Sequence, residues 1–495
     1  MTGIELAQRH FFEGLDCLDR ADFAAAEKHF RQAYDIVPAR ASVIDNLAGA
    51  LVKLNRIDEA RQLAQKSLRI DDTNALAWLN FGVCLQENRE YGRAANAFRR
   101  ALALDETLHE AWMGLGSACA ELGESAEAAT AWLALLKPFP RSANLLCSLS
   151  RLPALPAGID ILSLLDRAEP DEGESETEFE TLRAFARAAA LDRAGRHAEA
   201  WDWLAAANRQ PAQQAREDQR KAVGKQAAAL ASAEAGQAAT VAAPAARVAG
   251  TEPVSLFIVG PSRSGKTTLE RLAGAIGGVV RGGETLVVED AMRRVLKAAG
   301  APAGHSISTL PPALHGAWRQ SYFKDLRDRA GDARIFTNTL PGRIYDVPEI
   351  AALLANARFV FMKRDRDDAT LRIYMKKYKA GNAYAYDIAG IRDHIAWYDR
   401  MSDVLAERLA HVSAVLGYED MIADPQAALR AVADLCGVEA PDAPLPQLHD
   451  DRNCSAPYRD LMAAYSPADD AATAHDSCER DDDGKGATGE ATGAG

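Results

Sequence analysis

The sequence predicts a multidomain protein in which an all-α helical solenoid precedes an α/β domain with a mostly parallel sheet. Three observations indicate this. The first third of the chain repeats itself every 34 residues, short apolar strands alternate with helices from Pro253 onward, and a glycine-containing loop follows the first of these strands. At 495 residues the chain is too long for one hydrophobic core, so two or three domains are expected.

The repeat is visible as columns of equivalent residues. Three columns recur at 34-residue steps: Gly14, Ala48, Gly82 and Gly116; Ala26, Ala60, Ala94 and Ala128; and Phe30, Ala64, Phe98 and Trp132. Small residues let two helices approach closely, and the large ones fill the space between them. A period of this length is the tetratricopeptide signature. A fifth unit fits the same columns up to about Asn208. We therefore predict tetratricopeptide repeats over residues 1–141 and a further helical repeat region over residues 142–232.

Two segments have the composition of unstructured chain. Residues 233–252 are rich in Ala, Gly, Pro and Thr and are predicted to be a linker. Residues 461–495 are predicted to be a disordered acidic tail, because this segment is acidic and its end lacks large apolar side chains. The tail carries much of the formal net charge of −13, so the rest of the chain is only mildly acidic. Such a charge does not favour a nucleic-acid-binding surface.

The sequence favours a cytoplasmic protein without a membrane span. No apolar run reaches the roughly 18 residues that a transmembrane helix needs. The N-terminal residues have neither the basic nor the apolar region of a signal peptide. The seven cysteines are scattered without CxxC spacing, which is typical of reduced thiols and not of a disulfide framework or a zinc site.

The α/β domain is predicted to span residues 253–460. Strands are expected at four places, with helices between them: 254–259, 334–337, 357–362 and 412–416. Ligands of parallel sheets bind at the carboxyl ends of the strands. Polar and charged residues follow these ends, so the functional site is expected there.

The loop after the first strand, Gly260 to Thr267, matches the Walker A pattern. Its backbone N–H groups and the N-terminus of the following helix would favour a phosphate or sulfate. A kinase or nucleotide triphosphatase would also need a carboxylate for magnesium. The strand over 357–362 instead runs into Lys363 and Arg364 before it reaches Asp365, which favours an anion site. An ATP- or GTP-dependent kinase or NTPase and a non-catalytic scaffold both stay open as alternatives.

Four ordered blocks resemble the sulfotransferases that use 3′-phosphoadenosine-5′-phosphosulfate (PAPS). The likeness is to the bacterial type with tetratricopeptide repeats and to the tyrosylprotein sulfotransferases. The blocks are Arg263–Leu269, Arg281–Thr285, Ala357–Asp368 with Arg372 beyond it, and Gly417–Pro425.

This resemblance implies a sulfotransferase that moves a sulfuryl group from PAPS to a hydroxyl, with protein tyrosine as one candidate acceptor and no metal. The implied partner of the repeats is a protein or peptide. Glu284 would take the acceptor proton, with Arg263 and Lys266 as donors at the bridging oxygen. The residues implied to hold PAPS are Arg263, Ser264, Gly265, Lys266, Thr267 and Thr268 at the 5′-phosphosulfate and Arg364 and Arg372 at the 3′-phosphate.

The sequence departs from the family pattern at several of these positions. Ser262 replaces the first proline of the loop, and Lys266 stands among its threonines. Arg372 falls where a serine usually contacts the 3′-phosphate. Thr339 falls in a motif that often contains a catalytic lysine, and Leu286 replaces an arginine that contacts acidic peptide in the tyrosylprotein enzymes. The identity of the acceptor and the effect of these departures on activity therefore stay open.

Overall fold

The computed structural model describes residues 2–171, 173–235, 252–302, 304, 306–378, 381–442 and 444–464. Most of the predicted linker, residues 236–251, and most of the predicted acidic tail, residues 465–495, lie outside the described residues. The proposed domain boundaries therefore stay predictions.

The first half of the chain is helical, as the repeat columns predict. Its described residues form twelve α-helices: α1 (Gly3–Asp19), α2 (Phe23–Ile36), α3 (Ala41–Lys53), α4 (Ile57–Ile70), α5 (Ala75–Glu87), α6 (Tyr91–Leu104), α7 (His109–Leu122), α8 (Ser125–Leu136), α9 (Ala143–Ser150), α10 (Ile161–Leu165), α11 (Glu176–Arg193) and α12 (His197–Glu234).

The glycine column and the aromatic column of the repeat meet inside each helix pair. A Cβ added at Gly82 would lie 2.7 Å from the Phe98 ring, and one at Gly116 would lie 2.3 Å from the Trp132 indole. Glycine is therefore needed wherever the facing side chain is aromatic. The second repeat pairs Ala48 with an alanine instead of an aromatic residue, so it can carry a Cβ at the glycine position.

The turn between the two helices of each repeat contains a residue with positive φ. In the first four repeats these residues are Ala21, Asn55, Arg89 and Gly123, with φ of 54°, 58°, 59° and 78°. The same 34-residue period therefore governs the turns. Glycine and asparagine adopt this left-handed conformation readily, whereas alanine and arginine do so at an energetic cost.

The second helix of the fifth unit, α12, continues far beyond the repeats. It extends for 38 residues with Pro211 inside it. The sequence predicted that the repeats end near Asn208, inside a helical region that extends to residue 232. A proline inside a helix usually breaks it. Here the two halves form one helix, since the first half packs on α11 and the second half packs on the α/β domain.

The second half of the chain is the predicted α/β domain. Its described residues form five strands and nine α-helices: β1 (Val254–Val259), α13 (Lys266–Ala273), β2 (Val279–Val280), α14 (Val287–Ala298), α15 (His315–Ala330), β3 (Ile335–Asn338), α16 (Val347–Leu353), β4 (Ala357–Lys363), α17 (Arg366–Tyr374), α18 (Ile388–Arg408), β5 (Ser413–Gly417), α19 (Tyr418–Ala423), α20 (Pro425–Cys436) and α21 (Arg459–Ala464).

The five strands form one parallel sheet in the order β2-β3-β1-β4-β5. The four predicted strands are confirmed within about one residue, and the sequence missed only the two-residue β2. Both faces of the three central strands, β3, β1 and β4, are almost entirely buried. Phe257 and Phe359 face one cluster of helices with α14, α15 and α18, while Ile258 and Val360 face another with α13 and α20. This alternation explains why the strands are almost continuously apolar.

The fifth helical unit and the α/β domain share a hydrophobic core. Leu191 and Leu204 belong to the same buried cluster as Ile373 and Tyr458. The Asn208 side-chain amide donates to the Tyr374 carbonyl oxygen at 3.0 Å. The repeats are therefore joined to the α/β domain by packed side chains as well as by the chain itself.

Within the described part of the chain, every helix is too short or too polar to cross a bilayer. Six of the cysteines are described, and all six are free thiols.

Candidate functional site

A cavity of about 520 Å³ lies at the carboxyl ends of β1 and β4, between the α/β domain and the helical half of the chain. This volume is within the range typical of small-molecule sites. The helical half contributes Glu121, Arg151, Asp192 and Arg193 to its walls. The two halves of the protein therefore enclose one space.

The loop after β1 forms one end of the cavity. Arg263 and Gly265 have φ of 65° and 94° and turn the chain sharply into α13. A Cβ on Gly265 would lie 2.5 Å from the Tyr418 ring, so only glycine allows this approach. The Arg263 side chain is exposed and lines the cavity in a conformation that arginine adopts at a cost. Strain of this kind is typical of binding loops.

Lys266 is buried at the base of this loop. Its ammonium group donates to the carbonyl oxygens of Gly260 at 2.9 Å and Pro261 at 2.7 Å. Burial lowers the pKa of the Lys266 ammonium to about 8. In this structure the lysine therefore holds the loop's own backbone.

Arg364 and Arg372 also line the cavity, and Asp451 binds both. Arg364 donates to the Asp451 carboxylate at 2.9 Å and to its carbonyl oxygen at 2.7 Å. Nε of Arg372 donates to the same carboxylate at 2.9 Å. Burial acts to raise the pKa of the Asp451 carboxyl, but the two guanidinium groups outweigh it and lower the pKa. Two cations thus hold a single carboxylate.

Arg364 also contacts the loop after β1. It donates to the Arg263 carbonyl oxygen at 3.0 Å, and its guanidinium carbon lies 4.3 Å from the centroid of the Tyr418 ring. Arg364 thus contacts the loop after β1, the Tyr418 ring and the segment that contains Asp451. The cation–π contact and the planar fork of hydrogen bonds are specific to arginine.

Glu284 reaches the cavity from a tight backbone segment between β2 and α14. The Gly283 N–H donates to the Glu270 carboxylate at 2.9 Å, and the Gly282 N–H donates to the Thr337 hydroxyl at 3.0 Å. Burial raises the pKa of the Glu270 carboxyl, and the hydrogen bond from Thr337 counteracts this. The Glu284 carboxylate itself is paired with Arg89 from the third repeat.

Eight of the nine sequence-predicted site residues line the cavity. The exception is Ser264, which is fully buried behind the loop with its Oγ directed toward Gly260. Two of the departures from the family pattern are also near the site. The Ser262 hydroxyl lies 2.8 Å from the Tyr378 hydroxyl, and the Thr339 N–H donates to the Gly283 carbonyl oxygen at 2.8 Å.

Lys376 is a cavity residue that the sequence analysis missed. It follows α17 and forms no hydrogen bond or ion pair with the described residues. The neighbouring Arg263 guanidinium, together with burial, lowers the pKa of the Lys376 ammonium to about 8. The pair Lys376 and Lys377 gave no motif signal, and only the tertiary structure brings Lys376 near Arg263.

The cavity is locally cationic in an acidic chain. Seven of its lining side chains are Lys or Arg and four are Asp or Glu, whereas the whole chain has a formal net charge of −13. Such a concentration of positive charge suits a ligand with several phosphate or sulfate groups.

Comparisons with known proteins agree with this architecture. Residues 253–442 match the model described as the sulfotransferase family. Residues 18–81 and 79–143 match two models of the tetratricopeptide repeat. Among curated proteins, none matches the chain.

Several solved structures similar to this chain are described as tetratricopeptide proteins or domains. PilF of Pseudomonas aeruginosa is 19% identical over 40% of this chain and 90% of its own, with a TM-score of 0.33. The tetratricopeptide domain of Arabidopsis OM64 is 25% identical over 24% of this chain and 97% of its own, with a TM-score of 0.23. YrrB, whose title describes an unusual peptide-binding site, is 18% identical over 39% of this chain and 88% of its own, with a TM-score of 0.27.

Residues 253–442 thus form a sulfotransferase-family domain, and the chain combines this domain with tetratricopeptide repeats. This family implies a sulfonate donor as co-substrate.

Proposed function

We propose that this protein transfers a sulfuryl group from PAPS to a hydroxyl acceptor. The observation that carries the proposal is the meeting of three separate segments at one cavity: the loop with Arg263, the segment with Glu284 and the β4 end with Arg364. The first would hold the 5′-phosphosulfate, the second the acceptor and the third the 3′-phosphate.

The transfer needs an acid–base pair and cations but no change of oxidation state. The acceptor oxygen forms a bond to sulfur while the bond from sulfur to the bridging oxygen of the 5′-phosphate breaks. Glu284 accepts the acceptor proton, and the electron pair of the broken bond leaves with 3′,5′-ADP. Arg263, Lys266 and Lys376 supply positive charge where this negative charge develops. Lys376 thereby supplies a positive charge, which Thr339 cannot supply in the motif that often contains a catalytic lysine.

The carboxylate at the end of β4 supports this proposal over a magnesium-dependent kinase or NTPase. Asp365 caps α17 and accepts hydrogen bonds of 3.0 Å from the N–H groups of Asp367 and Asp368. Its position after β4 is the one that the sequence offered for a magnesium ligand. Of the four carboxylates that line the cavity, Asp451 is the one that binds Arg364, and it is held by two arginines.

The acceptor would enter between the repeats and the α/β domain. Arg89, Tyr91 and Glu121 of the repeats line a narrow cleft with Glu284 and Thr339. We propose that the repeats bind a protein or peptide, and that its hydroxyl, with tyrosine as one candidate, reaches Glu284 through this cleft.

Transfer of ³⁵S from labelled PAPS tests this function directly. The purified chain is incubated with a mixture of phenolic, tyrosyl-peptide and saccharide hydroxyls, in buffer with EDTA and again with magnesium. Labelled product in both buffers is the expected result, because no divalent ion is needed. The second measurement is the change in melting temperature of the protein on adding 3′,5′-ADP, ATP or GTP, each with EDTA and with magnesium.

Stabilisation by 3′,5′-ADP in EDTA supports the proposal. Stabilisation only by ATP or GTP with magnesium, together with release of phosphate, would establish the kinase or NTPase alternative instead. If neither a product nor a shift appears with any of these nucleotides, the protein is a scaffold.

A further inference from the structure

We infer that Arg89, in the third repeat, is a positioning residue for the Glu284 carboxylate, so that the repeats complete the active site. This inference rests on the proposed function, in which Glu284 takes the proton of the acceptor.

The contact between the two residues leaves half of the carboxylate available. Nη1 of Arg89 donates to Oε2 of Glu284, and Oε1 has no hydrogen bond with the described residues. An arginine bond to one oxygen fixes the rotation of the carboxylate. Oε1 can then face the acceptor hydroxyl in a defined orientation, as a general base requires.

The backbone at Arg89 is unusual for its residue type. Arg89 has a φ of 59°, in the turn position that the second, fourth and fifth units fill with Asn55, Gly123 and Gly195. Asparagine or glycine would adopt this conformation with less strain than arginine does. Strained residues concentrate at functional sites, and the side chain that this one presents reaches Glu284.

The opposite side of the contact is shaped to meet this turn. Gly283 has a φ of 60°, and a Cβ there would lie 3.4 Å from the carbonyl oxygen of Arg89 and 3.8 Å from the Tyr91 ring. Two tight turns, one from each half of the protein, therefore come together next to the Glu284 carboxylate.

A buried ion-pair network fixes the approach of the two turns. The Glu90 carboxylate receives Arg329 at 2.8 Å and Arg61 at 3.1 Å. Arg329 continues to the Thr285 hydroxyl at 3.1 Å and to Asp290 at 3.1 Å. The side chains of Glu90 and Arg329 are only 6% and 8% exposed. Glu90 and Thr285, which directly follow Arg89 and Glu284, thus both bind Arg329. These contacts fix the position of Arg89 relative to Glu284.

Arg89→Asn separates the role of the side chain from that of the turn, because asparagine favours positive φ. We expect unchanged or higher thermal stability but a kcat of ³⁵S transfer about 10- to 100-fold lower, with unchanged affinity for 3′,5′-ADP. Arg89→Lys keeps the cation and should recover part of kcat. In the matched control, Ala21→Gly relaxes the same turn position in the first repeat and should leave kcat unchanged.

Hydrogen exchange supplies a readout that needs no acceptor. Amides over residues 281–286 should exchange faster in Arg89→Asn than in the wild type or in Ala21→Gly. Equal exchange in all three proteins would overturn the inference, as would a kcat in Arg89→Asn equal to that of the wild type.

If the proposed function itself is wrong, the same experiments give a different set of results. A wild-type protein that neither binds 3′,5′-ADP nor transfers ³⁵S refutes the sulfotransferase proposal. The exchange rates then still decide whether Arg89 holds the segment around Glu284.

Discussion

The carboxylate of Asp451 accepts a hydrogen bond of 2.9 Å from the Arg364 guanidinium at the end of the cavity where we expect the 3′-phosphate. The same carboxylate binds Arg372. A phosphate binding to these two arginines would have to replace Asp451 or share them with it. Asp451 is therefore expected to weaken the binding of a 3′-phosphorylated nucleotide.

Asp451→Asn should tighten the binding of 3′,5′-ADP. Asparagine keeps the shape and one acceptor oxygen but removes a negative charge that repels the phosphate. We expect an affinity about five- to tenfold higher, measured by titration calorimetry in EDTA. Asp450→Asn removes an equal charge from the adjacent residue, which pairs with Arg452, and should change the affinity little. Weaker binding by Asp451→Asn would mean that its carboxylate shapes the site instead of competing for it.

Arg364→Ala should weaken the binding of 3′,5′-ADP by about 10- to 100-fold, because a charge-assisted hydrogen bond to the 3′-phosphate is lost. Calorimetry measures the affinity, and thermal unfolding checks that the loss of the Tyr418 contact has not unfolded the domain. Arg364→Lys should bind with intermediate affinity, since it keeps the charge without the fork of donors. An affinity equal to that of the wild type in Arg364→Ala would remove Arg364 from the proposed donor site.

The binding of 3′,5′-ADP should weaken as pH rises through about 8. The pKa of Lys376 and that of Lys266 are both lowered to about 8, so these ammonium groups lose their protons above that pH. Phosphate groups are already ionised there, so binding should take up protons near pH 8 to 9. Calorimetry in buffers of different ionisation enthalpy measures this uptake. Lys376→Met should reduce the number of protons taken up on binding. An unchanged number in Lys376→Met would show that other groups take up the protons.

The same two lysines should make the free energy of unfolding rise with pH, whereas they make ligand binding weaken with pH. Their ordinary pKa is 10.5, so between about pH 8 and 10.5 the unfolded chain binds more protons than the folded chain. Their contribution to the free energy of unfolding therefore rises with pH in this window and is least favourable below pH 8. A less steep rise in Lys376→Met, measured by urea unfolding across the window, would agree with this.

Local patterns in the sequence were sufficient for the fold and for much of the candidate site. Small and large residues at a fixed period predict paired helices, and an apolar run before a glycine loop predicts β1 and its turn into α13. The carboxyl ends of parallel strands meet at one edge, so Arg263 and Arg364 could be placed together before the structure was known.

Contacts across long stretches of chain could not be predicted in this way. Arg89 and Glu284 are 195 residues apart, and Asp451 is 87 residues from Arg364. Neither Arg89 nor Asp451 lies in a motif, and their roles depend on how the repeats and the last loop pack on the sheet. The continuation of α12 through Pro211 also depends on tertiary packing, because the local preference of proline is to end a helix.

The repeats themselves allow a test of the fit between glycine and aromatic residues. Phe98 is fully buried, and its ring fills the space over Gly82 and Gly114. Phe98→Ala should lower the free energy of unfolding by about 3–5 kcal/mol because it leaves a cavity. Gly82→Ala should lower it by about 1–3 kcal/mol because the new methyl group meets the ring.

The double variant Gly82→Ala/Phe98→Ala recreates the alanine pair found at Ala48 and Ala64 in the second repeat. The methyl group at position 82 no longer meets a ring and instead fills part of the cavity. The double variant should therefore be more stable than the sum of the two single effects predicts, with a favourable coupling of about 1–3 kcal/mol in urea unfolding. Strictly additive effects would show that the glycine and aromatic columns are independent, and that the 34-residue pattern reflects helix spacing alone.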